Sequence, residues 1–278
     1  MGLGGYLTWT AVAREVRARL GKDVKILPIE QHGNFVKLIK SPIFHNNEDF
    51  VQEWSGDQFT FPLVFNDPKT NYCKSDTQEK AVHRYDKHII EQICEVYGIK
   101  DPLLKCVISL DTKEKEEVDR IVGILPPSFV TIDVGVNKEY TQNKFDNIEF
   151  WQKLVDNLSP KIKFVQVGTP DDRRLNGVIS LLGRTTFRTA AGVIGRSKLF
   201  VGPEGGLVHA ASAFDTKCVV IVSSFIHPDL VKYQDNVYIW ANEDKHGPCG
   251  MKINCEYCKK NMQTLNIEDV CNTIKNLL

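Results

Sequence analysis

No apolar run in this chain approaches the roughly 20 residues needed to cross a bilayer. The first residues also lack the apolar centre of a secretory signal. Charge of one sign is missing as well, with 35 Lys+Arg against 35 Asp+Glu. Nothing therefore draws nucleic acid or an anionic surface to the molecule as a whole, and only a local basic patch or a peripheral membrane contact stays open. Internal repeats and low-complexity tracts are absent too. These gaps predict an ordinary globular protein of the cytoplasm with no nucleic-acid partner.

The chain has 278 residues, 42% of them hydrophobic, enough for two modest domains or one large one. Cysteine is plentiful, at eight. Cys73, Cys94, Cys106, Cys218 and Cys271 lie scattered in apolar or helical contexts and read as buried free thiols. Cys249, Cys255 and Cys258 are clustered.

Periodicity predicts a helix from Thr8 to Leu20, a strand over 24–28, long loops with short strands over 31–74, a helix over 78–97, a strand at Cys106–Leu110 and a charged helix over 112–120. After Pro126-Pro127 strands and helices alternate. Strands are expected at 129–133, 164–167, 199–201 and 218–222, with helices at 147–158, 171–182, 186–195, 205–213 and 267–278. Short apolar strands without alternation imply a parallel sheet covered on both faces, hence an α/β fold. A domain boundary is placed near Pro126, giving units 1–125 and 126–278.

The sharpest stretch runs from Leu199 through Gly202, Glu204, Gly205, Gly206 and His209 to Ala211. A buried strand ends, the chain turns through glycines, and a helix of small residues begins. The first amides of such a helix are unpaired and can hold a phosphate, while glycine lets the ligand come close. Glu204 would accept from sugar or ribose hydroxyls, and His209 falls about one turn inside the helix. The same pattern also describes a tight turn with a capping glutamate and a core histidine.

That segment resembles the donor-binding signature of the heptosyltransferase-like glycosyltransferases (glycosyltransferase family 9), a strand followed by Asp-Thr-Gly-Leu, one variable residue and His. Glu204 stands for the acidic residue and Gly205 for the threonine, while Gly206, Leu207 and His209 match. Asn143-Lys144-Phe145 resembles the family's Lys-aromatic motif, which gives Lys144 the donor diphosphate. Gly168-Thr169-Pro170-Asp171-Asp172 resembles its Gly-x-Pro-x-Glu turn, so Asp171 or Asp172 inherits the ribose, with helix capping the plainer alternative for each. Leu182 to Phe187 resembles the link before the donor signature.

Gly2 to Thr10 resembles the family's glycine loop, implying an acceptor and phosphate loop at Gly4, Gly5 and Tyr6. In the family an aspartate there is the proposed general base, and here that position is Gly5. Substitutes of suitable chemistry are Glu30 and His32, then His45, Glu48 and Tyr6. The family begins with a buried strand before this loop, so a sequence longer at its N-terminus is expected, or else a first sheet lacking a central strand.

His246, Cys249, Cys255 and Cys258 offer the four N/S ligands that tetrahedral zinc prefers, and thiolates also suit iron. Reduced thiols or a disulfide are the alternatives. Family members carry similar Cys-rich segments, and in the autotransporter heptosyltransferases such cysteines hold iron. The resemblance implies two Rossmann-like domains facing across a cleft (the GT-B architecture), the first short or incomplete. It also implies transfer of a sugar from an ADP-heptose-like donor to a glycan, lipid-linked saccharide or protein, without a catalytic metal. A catalytically inactive nucleotide-sugar-binding or assembly protein is the main alternative, and an epimerase on the same architecture the weaker one.

Overall fold

The computed structural model describes residues 2–53, 59–135 and 139–278. Helix α1 (Leu3–Leu20) is buried on all sides from Leu7 to Ala13. A helix apolar all round belongs in an interior, and Ala11 and Ala13 let its neighbours approach. It feeds β1 (Lys25–His32), which turns through Gly33 (φ +61°) into antiparallel β2 (Phe35–Leu38) and runs parallel to β3 (Thr60–Val64). Aromatic stacking closes this unit, with Trp9 on Phe65 at 4.1 Å and Phe44 on Phe50 at 4.2 Å.

A hairpin of β4 (Cys73–Asp76) and β5 (Ala81–His83) follows, then α2 (Ile89–Val96) and α3 (Thr112–Val122). Next come β6 (Val130–Ile132), α4 (Ile148–Leu158), β7 (Phe164–Gln166), β8 (Ile179–Ser180), α5 (Phe187–Ile194), β9 (Phe200–Pro203) and α6 (Gly206–Ala213). The chain finishes with β10 (Cys218–Ser223), β11 (Val237–Ala241), α7 (Glu256–Thr264) and α8 (Ile267–Leu277).

Strands β6 to β11 form one sheet in the order β11-β10-β9-β6-β7-β8, every pair parallel. All six residues of β10 are buried, as a strand covered on both faces requires. The fold is thus α/β with a parallel sheet. Strand order runs outward from β6 to β8, then resumes at β9 on the other side of β6. Ligands bind outside the strand ends at such a reversal, here where Asp133 leaves β6 and Glu204 leaves β9. Among the described residues no helix is long and apolar enough to cross a membrane.

Three expected elements differ. Residues 106–110 form no strand, because side chains capture their backbone: the Cys106 and Val107 N–H groups donate to Ser212 Oγ (3.3 Å) and Thr10 Oγ1 (2.8 Å), and the Ser109 carbonyl accepts from Arg188 (2.6 Å). The helix over 78–97 shortens to α2, since Lys80 bridges to Met251 and the His88–Glu91 capping box starts the helix late. The helix over 171–182 is absent. The fully buried Gln166 amide takes the Arg173 carbonyl and the Leu175 N–H, holding that stretch as a turn.

Candidate functional site

Expected as a loop, Gly4, Gly5 and Tyr6 form the first turn of α1, which begins at Leu3. That turn faces the first turn of α6. A Cβ on Gly4 would lie 3.1 Å from the Gly206 Cα and 3.2 Å from His209 Cδ2, so any side chain there would push the two helices apart by a few tenths of an ångström. Neither helix has a side-chain N-cap, since Gly2 and Gly205 occupy those positions. Two sets of unpaired amides therefore meet at one corner, and both helix dipoles point their positive ends there.

Lys144 and Glu204 join them at that corner. Lys144 Nζ donates to a Glu204 carboxylate oxygen at 2.8 Å and to its carbonyl at 3.2 Å, with the two side chains 19% and 16% exposed. Burial alone would raise the Glu204 carboxyl, but Lys144, then His209 and His83, hold it below its ordinary value. Glu204 thus pairs the lysine's charge in this arrangement, and the helix ends add positive field beside it. His209 shares a 2.6 Å hydrogen bond with the Tyr233 hydroxyl through Nδ1. Burial lowers its pKa to about 4 against the pull of Glu204, so its imidazole is neutral at pH 7.

Asp133, beyond the end of β6, was not singled out in the sequence. Burial raises its carboxyl from the ordinary 3.8 to about 7; the Gly135 N–H, donating at 2.9 Å, opposes this, and Asp172 adds to it. Asp172 sits over two glycines, for a Cβ on Gly135 or Gly168 would fall 2.5 Å from its carboxylate oxygens. It also accepts from the Thr169 N–H at 2.6 Å. Beside it a cavity of about 300 Å³ opens between Pro170, Arg174, Ser180, Leu182 and Arg184. Asp171 is exposed.

The substitute bases separate. Glu30 and His32 lie 4.0 Å apart at the end of β1, and Glu30 reinforces the upward shift that burial gives the Tyr6 phenol. His45 pairs with Asp111 at 3.0 Å, and the largely exposed Glu48 lies 3.6 Å from Arg17.

The Cys-rich segment gathers. His246, Cys249 and Cys255 offer ligand atoms within 4.8 Å of one another. Cys255 Sγ lies 3.5 Å from His246 Nε2, and Cys249 Sγ lies 3.2 Å from Cys258 Sγ. A tetrahedral ion with bonds of about 2.0–2.3 Å spaces its ligand atoms about 3.3–3.8 Å apart, so His246, Cys249 and Cys255 are gathered closely enough to share one, with Cys258 beside Cys249. The hydrogen bond from the Cys258 thiol pulls Cys249 below its ordinary value, toward the thiolate that metals take. All eight cysteines are free.

The sequence profile of glycosyltransferase family 9 (heptosyltransferase) matches residues 78–260. No curated protein matches. Among solved structures the chain is similar to the iron-containing dodecameric glycosyltransferase TibC of enterotoxigenic E. coli H10407, at 13% identity and a TM-score of 0.66, covering 100% of this chain and 73% of that one. TibC has also been solved in complex with ADP-D-β-D-heptose. E. coli ADP-heptose LPS heptosyltransferase II matches at 15% identity and a TM-score of 0.52, over 69% of this chain and 62% of its own. A family 9 glycosyl transferase from Veillonella parvula DSM 2008 matches at 15% and 0.51, over 69% and 60%. The chain thus spans about three fifths of the length of these last two, and identities this low establish the fold.

Proposed function

Because the chain belongs to glycosyltransferase family 9, we propose that it transfers a heptose or related sugar from a nucleoside diphosphate to a hydroxyl of a glycan, lipid-linked saccharide or protein. The observation that carries this is the meeting of two uncapped helix N-termini at Gly4 and Gly206, beside Lys144, at the reversal point of the sheet. The acceptor oxygen bonds to the anomeric carbon, the bond from that carbon to the phosphate oxygen breaks, and the diphosphate leaves with the electron pair. Helix amides, Lys144 and the neutral His209 stabilise that charge as it develops, so no catalytic metal is required. Glu204 turns to the hydroxyls of sugar or ribose, and Asp172, or Asp171 beside it, takes the ribose next to the cavity.

The acceptor's proton needs a base, and Gly5 has no side chain to offer. Asp133, with its pKa near 7, has the matching strength, and Glu30 is the second carboxyl. Residues 1–125 and 126–278 act as two Rossmann-like halves across a cleft. Iron or zinc at His246, Cys249, Cys255 and Cys258 is structural, and it would supply order to a segment with few apolar anchors. Free thiols suit a reducing compartment such as the cytoplasm.

Titration with ADP, GDP and UDP tests the reading. The matching nucleotide, at about 100 times its Kd, adds about 2.7 kcal/mol of stability and raises the melting temperature of wild type but not of Lys144→Met. Failure of all three sinks the donor site. Binding with no product from any sugar diphosphate favours a non-catalytic binding protein instead.

A further inference from the structure

Lys144 owes its position to its two neighbours. Phe145 is buried, edge-on to Phe150 and Trp151 with ring centroids 5.3 and 5.5 Å away, which anchors one side in the core. Asn143, fully buried, anchors the other in a different place. Its Nδ2 donates to the carbonyls of Met251 and Ile253 at 2.6 and 2.7 Å, and its Oδ1 accepts from the Cys255 N–H at 2.9 Å. Thr141 Oγ1 donates to the same Met251 carbonyl at 2.8 Å, and the Gln142 N–H donates to the Lys252 carbonyl at 2.9 Å. All these partners lie between Cys249 and Cys255 or on Cys255 itself.

Residues 252–255 form neither helix nor strand; Met251 bridges to Lys80, and Lys252 is tied to the same hairpin by its N–H on the Glu79 carbonyl (2.7 Å) and its ammonium on Asp76 (2.5 Å). Beyond those ties to the hairpin, this stretch takes its order from the cysteine and histidine side chains at its ends and from the hydrogen bonds to Thr141, Gln142 and Asn143. We infer that Asn143 is a positioning residue which couples the Cys–His cluster to the lysine of the donor site, so that closing the cluster on a metal ion fixes where the Lys144 ammonium lies. The inference rests on the proposed role of Lys144 at the diphosphate. Its physical basis is the steepness of hydrogen bonding, since a displacement of about 1 Å at a charged donor removes most of its contribution. A metal that merely stabilised the fold would not distinguish a diphosphate from the rest of the nucleotide.

Calorimetric titration of the metal-loaded protein with ADP and with adenosine separates these cases, using wild type, Asn143→Ala, Lys144→Met and the double variant. Asn143→Ala is expected to weaken ADP about tenfold, the loss of one good hydrogen bond to a charged group, and to leave adenosine unchanged. The double variant should bind ADP no more weakly than Lys144→Met alone, because coupled residues are not additive. Removing the metal from wild type with a chelator should reproduce the Asn143→Ala pattern, and this arm decides if that variant does not fold. Equal losses for ADP and adenosine, or additive losses in the double variant, overturn the coupling. Wild type that binds none of ADP, GDP and UDP overturns the donor site itself.

Discussion

Two carboxyls at the mouth of the parallel sheet are pushed in opposite directions, Glu204 down by its lysine and Asp133 up by burial. Such divergence separates a charged binding group from a proton acceptor. The Asp133 shift has a definite consequence for stability. An acid whose pKa is higher folded than unfolded opposes folding once it must ionise. Unfolding then sheds a proton between about pH 4 and pH 7, so stability falls as pH rises through that window and levels off above it. Asp133→Asn should remove that fall, raising the melting temperature at pH 8 relative to wild type while the two coincide near pH 4. If Asp133 is the base, kcat also drops by about 100-fold or more. Glu204 and His209 stand out in the sequence because strand, glycine turn and helix are local, and Lys144 only through its resemblance to a family motif; the structure brings the Lys144 ammonium onto Glu204. Asp133 was not legible, since its environment depends on Asp172 on another strand end. The Tyr233 hydroxyl on His209 likewise comes from a separate segment that no spacing announces.

Between elements, the decisive contact is the crossing of α1 and α6 at Gly4 and Gly206. Gly4→Val places atoms where the Gly206 Cα and the His209 ring now lie. Forcing them apart should cost about 1–3 kcal/mol in urea unfolding and weaken ADP binding with it. Gly2→Ala, which meets nothing within 4 Å, should cost only the difference between Gly and Ala at an N-cap, under about 1 kcal/mol, and leave the crossing intact. Helices with side-chain caps and strands apolar throughout were readable: α4, α5 and α8 begin within one residue of expectation, as does α6 after its glycine turn, and β10 ends one residue beyond it. Elements whose backbone partners are distant side chains were not. Cys106 to Leu110 has the composition of a strand, yet Thr10, Arg188 and Ser212 occupy the groups a neighbouring strand would need. The glycine turn at the N-terminus was recognised as a place of close approach, but not as the opening turn of a helix.

Across the molecule, Arg188 ties distant segments together. Buried on α5, it grips both Glu114 oxygens at 2.6 Å, the Ser109 carbonyl at 2.6 Å and the Pro42 carbonyl at 3.2 Å. One side chain thus joins the first sheet's surroundings, the extended segment and α3. Arg188→Ala should cost about 3 kcal/mol, because Glu114 loses its buried ion-pair partner. Removing both charges, as Arg188→Met with Glu114→Leu, should recover part of that in chemical denaturation. The pairing of α1 with α6 has a further consequence, for the protein in the making. A ribosome releases α1 long before α6 exists, so the girdle from Leu7 to Ala13 waits through most of translation without its final partner. Contacts this distant along the chain form slowly, and during that wait the nascent helix is a sticky surface. The corner where Gly4 meets Gly206 therefore closes only after the second half of the chain has emerged.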